Sequence, residues 1–362
     1  MEKGRSGRVG IHGELFARLH DPAHLIACAR TAARGKKRTP DAARFLLDLE
    51  PECFRLSREL RRGEWSPGAY GSFFIREPKR RLISAAPFAD RVVHHALVSI
   101  MEPFFERRFV AHSYACRTGK GTHRALDRAA RLSATRRFVL KGDVVKFFPS
   151  IDHEVLKTQV RRVIGDERFL AVLDRVIDGS NRQEPVEEWF PGDFLFTPVE
   201  RRKGLPIGNL TSQFLANVML DPFDHAVMDE AGFGDYLRYC DDFLVFDDDR
   251  DRLWELRERI DRVLGGIRLR LHPRKGGVHS TRAPLAFLGF AIVRGRKRLQ
   301  REGMVRATRR LRAAVAAIEE GRLWPVDLAA RIAAWRGHAG HASSPRAVSL
   351  VLERAGCVAA FA

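Results

Sequence analysis

Two adjacent carboxylates, Asp241 and Asp242, stand between Tyr236-Leu237-Arg238-Tyr239 and Phe243-Leu244-Val245-Phe246, two short β-rich and aromatic stretches. An acidic pair at that place falls on the turn of a hairpin. Two unpaired carboxylates side by side repel each other unless a cation binds between them. Taken alone, Asp-Asp at a turn also fits Asx-turn chemistry on a solvated loop. Well upstream, however, Phe138–Phe148 reads as a strand that delivers a third carboxylate, Asp143, close to its end. Mg²⁺ dehydrates reluctantly and takes one or two carboxylates plus substrate phosphates, so three Asp on adjoining strand ends suit a nucleoside triphosphate site with two ions. Such ions lower the pKa of an attacking hydroxyl and stabilise a leaving pyrophosphate. The chemistry then needs charge and positioning rather than a protein nucleophile.

The flanking sequence supplies elements to hold these groups. Residues up to about 65 read as helical, with Leu46, Leu47, Leu49 and Phe54 apolar and a basic break at Gly35-Lys36-Lys37-Arg38. From Ser72 to Ile83 the pattern is a hairpin whose second strand places Lys79, Arg81 and Ile83 on one face and Arg80 on the other. Pro87 to Phe109 has the apolar spacing of a core helix. The stretch Gly119-Lys120-Gly121-Thr122-His123 either caps the next helix or touches a nucleic-acid backbone. Phe147 and Phe148 point to opposite faces of an extended segment, so only one can face the site. Asp152 reads as a structural helix start, residues 180–203 as a polar, turn-rich insertion, and Asp247-Asp248-Asp249 as a cap for the helix from Arg250.

With 362 residues and 45% apolar content the chain can bury a substantial core of two or three domains. Its 64 Lys and Arg against 45 acidic residues give a formal charge of +19, which points to a polyanionic partner, nucleic acid fitting best. The five cysteines show no paired spacing, which argues against a disulfide framework or a Cys-based zinc site and for a reducing compartment. No apolar signal core or membrane-length stretch occurs, so a cytoplasmic location is expected. His338-x-x-His341 is read as packing rather than metal binding.

Asp143 with Phe147-Phe148, Gly204-Leu205-Pro206-Ile207-Gly208, Tyr239-Cys240-Asp241-Asp242, Lys275 and Phe287-Leu288-Gly289-Phe290 resemble, in order and spacing, the motif series of reverse transcriptases over roughly residues 70–293. The resemblance implies an α+β right-hand polymerase fold of fingers, palm and thumb, the palm an antiparallel sheet backed by helices. The boundaries expected are 1–65 for an N-terminal helical segment, 66–135 for fingers, 136–293 for palm with a fingers-associated insertion at about 154–203, and 294–362 for a basic helical thumb.

By the same resemblance Asp143, Asp241 and Asp242 are catalytic and, with Val144, bind two Mg²⁺, Mn²⁺ being the alternative ion. Arg81, then Lys79, would neutralise the triphosphate of the incoming dNTP. Phe148 would exclude a 2′-hydroxyl, leaving Phe147 to the core. Pro206, Ile207, Gly208 and Gln213 would line the nucleotide, and Lys275 would approach it as a proton donor to pyrophosphate. Tyr239, Leu288 and Gly289 would contact primer, and Arg309 and Arg310, in a basic stretch before a helix at Ala313, would follow the template-primer backbone. Template RNA, cDNA primer, dNTPs and a small helical accessory protein are the implied partners. No RNase H, endonuclease or large maturase region is read, so template removal and target cleavage are expected of other proteins.

Most reverse transcriptases carry Gln at the position of Ile207, and many group II intron and retron enzymes carry Ser-Pro where this chain has Ser212-Gln213. Ile-Gly-x-x-x-Ser-Gln instead resembles the enzymes of diversity-generating retroelements, which copy a template RNA with frequent errors at adenines. Gln can hydrogen-bond near the sugar and base of the nucleotide, whereas Ile offers only shape. A loss of about 1–3 kcal/mol shifts selectivity roughly tenfold to a few hundredfold without abolishing synthesis. The alternatives are a retron-like, intron-derived or phage-defence reverse transcriptase and a catalytically idle RNA-binding protein of the same fold.

Overall fold

The computed structural model describes residues 14–37, 39–75, 80–181 and 183–357, so Lys79 lies outside the described residues. The described residues begin with four helices, α1 (Leu15–Leu19), α2 (Pro22–Ala32), α3 (Pro40–Leu47) and α4 (Leu49–Arg62). Asp21 caps α2 by accepting from the amides of Ala23 and His24, and left-handed Gly63 ends α4. A hairpin, β1 (Gly71–Ile75) and β2 (Arg81–Ala85), precedes the long α5 (Phe88–Glu106) and then α6 (Thr122–Thr135). After β3 (Phe138–Gly142) come α7 (Phe147–Ser150), α8 (His153–Arg161), α9 (Glu167–Asp178), α10 (Thr197–Glu200) and α11 (Leu210–His225), the last running into a π-helical turn at Ala226–Glu230. β4 (Tyr236–Tyr239) and β5 (Asp242–Asp247) form the acidic hairpin, followed by α12 (Arg250–Gly266). The remainder is β6 (Gly277–Ser280), β7 (Leu285–Phe287), β8 (Phe290–Val293), β9 (Arg296–Leu299), α13 (Arg301–Glu319), α14 (Pro325–Ala339) and α15 (Pro345–Arg354). Among the described residues no helix is long and apolar enough to cross a membrane.

These elements divide into two compact units, one of residues 1–116, 144–230 and 259–272, the other of 117–143, 231–258 and 273–362. The first has a helical core. α5 buries Val92, Val93, Ala96, Leu97, Ile100 and Met101 completely, and its Phe105 meets Phe214 of α11 edge-on at 5.5 Å. Such all-round apolarity marks α5 and α11 as interior helices. Leu47 and Phe54, apolar in the early helical pattern, stay exposed while Phe45, Cys53 and Leu56 turn inward.

The insertion at 180–203 is less polar than its sequence suggested. Phe190 lies against the guanidinium groups of Arg268 and Arg270 at 5.0 and 4.7 Å, and Asp193 takes both Arg268 nitrogens at 2.7 Å. This clamp fixes the base of the loop, and Phe194, Leu195, Phe196 and Val199 project into solvent beyond it.

The second unit is built on a four-stranded antiparallel sheet in the order β4-β5-β3-β6. α6 packs on β4 and β5 of this sheet as well as on β8 and β9, burying Leu126 and the small side chains of Ala125, Ala129 and Ala130. At the end of β3, Gly142 faces Phe243 of β5, and a Cβ there would lie 2.0 Å from the phenyl ring. A three-stranded sheet, β7-β8-β9, and a bundle of α13, α14 and α15 around Leu311, Ala314, Leu328, Ile332 and Val351 complete the unit. The basic run expected to precede a helix at Ala313 is itself helical from Arg301, since nothing between Arg301 and Arg312 breaks the periodicity.

Asp152 is structural, as its place in the sequence indicates. It caps α8 through the amides of Glu154 and Val155, and it pairs with Arg201 at 2.5 Å and Arg268 at 3.3 Å. Burial alone would push its carboxyl up; hydrogen bonds from Arg201 and the Val155 amide outweigh that and hold it below the ordinary value. A depressed folded-state value adds stability that is complete above about pH 4 and is lost as the pH falls through the lower folded value. Asp152→Ala, which leaves Arg201 without its partner, is expected to cost about 3–5 kcal/mol in urea unfolding at pH 7. Asp152→Asn should show a shallower loss of stability below pH 4 than the wild type.

Candidate active site

Strand register brings the carboxylates together. Gly142 pairs with Phe243 across β3 and β5, so the next residue, Asp143, falls opposite Asp242, and the turn residue Asp241 stands beside both. Asp143 is buried and its carboxyl contacts that of Asp241, while Lys275 Nζ donates to Asp143 Oδ2. The turn is only Cys240 and Asp241 long, and Cys240 adopts a left-handed φ of 57°. A non-glycine residue held there stores modest strain, a feature common at functional sites. Its carbonyl accepts at 3.0 Å from Nη1 of Arg238, a residue only 1% exposed. Tyr239 is fixed by its hydroxyl, which accepts from Thr122 Oγ1 at 3.0 Å.

Crowded carboxylates in a half-dry site resist ionisation. Burial first, and then the negative charges of Asp143 and Asp242, push the Asp241 carboxyl up to about 6. Among the described residues no three His, Cys, Asp or Glu side chains already converge in ligating geometry. The oxygen-only donor set and the mutual repulsion of its members fit a hard divalent cation, which would offset the part of the rise that comes from Asp143 and Asp242.

In the other unit, Phe147 is 2% exposed and Phe148 is half-buried, their rings 5.4 Å apart. The segment is not extended as expected, because left-handed Lys146 turns the chain into α7, yet the two rings still diverge. Val144 is buried and bridges to Leu271. The loop before α11 is tied to the β1–β2 hairpin: the Ser84 amide donates to the Ile207 carbonyl at 3.0 Å and Asn209 Nδ2 to the Ser84 carbonyl at 2.9 Å. Gly208, at a φ of 114°, lets the loop lie against Ile83. Pro206 is buried, Ile207 half-buried and Gln213 exposed. Arg81 is exposed on β2 opposite Ile75, and Arg80 turns to the other face, over the Phe74 ring at 4.2 Å.

Leu288 and Gly289, both at positive φ, form the two-residue turn joining β7 to β8, and Arg309 and Arg310 are exposed on α13. His338 packs against Phe290 and His341 stacks on His123 at 3.4 Å, which gives the histidine pair a packing role. Sequence reasoning missed Arg238, although a lone Arg in an otherwise apolar strand is a detectable signal. It also left the Gly121-Thr122 stretch open; Gly121 precedes α6 as its N-cap and Thr122 anchors Tyr239.

A carboxylate cluster at the end of an antiparallel sheet, reached by a two-residue acidic turn, belongs with nucleotidyl-transferring polymerases, and the chain is a member of the reverse transcriptase (RNA-dependent DNA polymerase) family, whose model matches residues 75–292. Among individual proteins it is similar to protein YkfC of Escherichia coli (strain K12), 27% identical over 305 residues that cover 73% of this chain and 76% of YkfC. It is also similar to group II intron-encoded protein LtrA of Lactococcus lactis, 23% identical over 182 residues, 49% of this chain and 28% of LtrA. Nuclear intron maturase 1 of Arabidopsis thaliana matches at 31% over 106 residues, 29% of this chain and 15% of the maturase. The matched stretches thus span three quarters of YkfC and less than a third of either intron protein.

A carboxyl whose folded-state value exceeds its unfolded one costs stability when ionised, fully above about pH 6 and less as the pH falls toward 4. Asp241→Asn, unfolded in urea at pH 7.5 without divalent ions, is therefore expected to be more stable than wild type by roughly 1–3 kcal/mol. The gap should narrow at pH 5, and also when Mg²⁺ is added to both proteins.

Proposed function

We propose that this chain is an RNA-directed DNA polymerase that extends a primer on template RNA with dNTPs, working in the cytoplasm. The observation that carries the reading is the contact of the Asp143 and Asp241 carboxyls, with Asp242 opposite Asp143 in the strand register, inside the stretch that matches the family. Residues 66–135, 136–293 and 294–362 would serve as fingers, palm and thumb of a right hand, after the helical segment 1–65. Asp143, Asp241 and Asp242, with the Val144 carbonyl, would hold two Mg²⁺ ions, which when bound supply a more acidic primer hydroxyl and charge for the departing pyrophosphate. Arg81 and Lys79 would bind the triphosphate, Phe148 would exclude ribonucleotides by its bulk, and Pro206, Ile207, Gly208 and Gln213 would shape the nucleotide's surroundings. Tyr239, Leu288, Gly289, Arg309 and Arg310 would hold primer and template, in keeping with a charge of +19.

The finer reading is a polymerase of a diversity-generating retroelement, supported by Ile207 and Gln213 and served by a small helical accessory protein. Ile207 is held by its backbone to Ser84, so its side chain can change without releasing the loop. A second reading, an intron-derived or retron-like enzyme, is favoured by the similarity to intron-encoded proteins.

Asp143→Asn or Asp241→Asn should abolish Mg²⁺-dependent dNTP incorporation on an RNA template while circular dichroism stays native; activity retained in either purified variant would refute the polymerase reading. Ile207→Gln should lower misincorporation opposite template adenine several-fold when cDNA is sequenced. An unchanged error spectrum would leave the intron-derived reading standing.

A further inference from the structure

We propose that Lys275 is the resident counter-cation of the metal-free carboxylate cluster, and that a divalent ion must displace it from Asp143 in order to bind. The ammonium thus released becomes available to the phosphates of the nucleotide, so metal and nucleotide are coupled through one side chain. The proposal rests on the polymerase reading for the identity of the ion and the nucleotide.

The turn that leads into β6 supplies the pairing. β6 pairs antiparallel with β3 as far as Lys141 opposite Gly277, and Lys275 stands in the turn two residues before that strand end. From there its Nζ donates to Asp143 Oδ2, while Asp242 falls opposite Asp143 in the register of β5.

Asymmetry of burial makes the contact exchangeable. The Asp143 side chain is 9% exposed and that of Lys275 42% exposed, so the anion is fixed in the protein while the cation reaches it from the rim. Asp143 also touches the Asp241 carboxyl, leaving excess negative charge that one ammonium offsets only in part. A divalent ion brings twice the charge and can bind both carboxylates at once. Lysine suits a temporary role because its ammonium is a compact point charge on a flexible stem, whereas an arginine fork would hold the carboxylate in a bidentate grip.

Linkage gives the consequence. If the ion and Lys275 compete for Asp143, the ion binds more weakly than the carboxylates alone allow, and triphosphate that captures the ammonium tightens the ion by the same factor that the ion tightens triphosphate. Without the charge at 275 the competition disappears, and with it most of that mutual gain.

Mn²⁺ binding to the full chain without nucleotide, followed by electron paramagnetic resonance of the free ion, tests this. Lys275→Met keeps the stem's bulk and should bind Mn²⁺ about five- to fiftyfold more tightly than wild type, with Lys275→Gln behaving alike if Met impairs folding. Lys275→Arg should bind no more tightly than wild type. Adding Lys275→Met to Asp143→Asn should give no further tightening, because the ammonium then has no ionised Asp143 to compete for. dATP should tighten Mn²⁺ markedly in wild type and much less in Lys275→Met. Equal or weaker Mn²⁺ binding in both neutral variants, alongside a wild-type site lost in Asp241→Asn, would overturn the proposal and leave the polymerase reading intact. Absence of Mn²⁺ binding in wild type and all variants would overturn both.

Discussion

Like-charge crowding at the end of one sheet is the constraint on which the rest of this molecule turns. Asp143 and Asp242 are brought opposite each other by the register of β3 and β5, and Asp241 is pressed against them by a turn of two residues. Left to themselves, such groups would separate or take up protons. The fold forbids separation with strands paired on both sides of β3, the buried β5 and the partly exposed β6, an alanine-rich helix packed on β4 and β5, and the Arg238 guanidinium holding the Cys240 carbonyl. The ammonium of Lys275, donating to Asp143, offsets part of the repulsion that the backbone cannot relieve.

Much of this was readable from the chain itself. The acidic hairpin, the strand ending in Asp143, the helix-capping role of Asp152 and of Asp249, and the core helix after Pro87 rest on local patterns, alternation, periodicity and caps, which neighbours in sequence determine. What was not readable depends on contacts between distant segments. Nothing near residue 122 announces that its hydroxyl reaches Tyr239, and nothing in Arg268 or Asp193 announces their pairing. The helical turn at Phe147 follows from a left-handed Lys146, a conformation that side-chain type does not signal. The insertion at 180–203 looked polar because its prolines and charges dominate the count, yet several of its charges serve as anchors and Phe194, Leu195, Phe196 and Val199 are left outside.

The loop at Gly204–Asn209 shows how a fold can separate attachment from selectivity. Its hold on the β1–β2 hairpin runs through main-chain atoms of Ile207 and Ser84 and through Asn209, with Gly208 supplying the close approach. The side chain at 207 takes no part in those bonds. That position can therefore vary while the scaffold keeps its geometry.

The face-to-face placement of Gly142 and Phe243 reaches further than local packing. With the ring filling the space a methyl group would need, neither residue can be exchanged alone for an arbitrary alternative. The two lie immediately before Asp143 and immediately after Asp242, so any drift in this steric lock would be transmitted to the acidic groups themselves. Substitutions at 142 and 243 should accordingly travel in pairs through descent, and a lineage in which the pair has decayed would be one that has ceased to depend on catalysis.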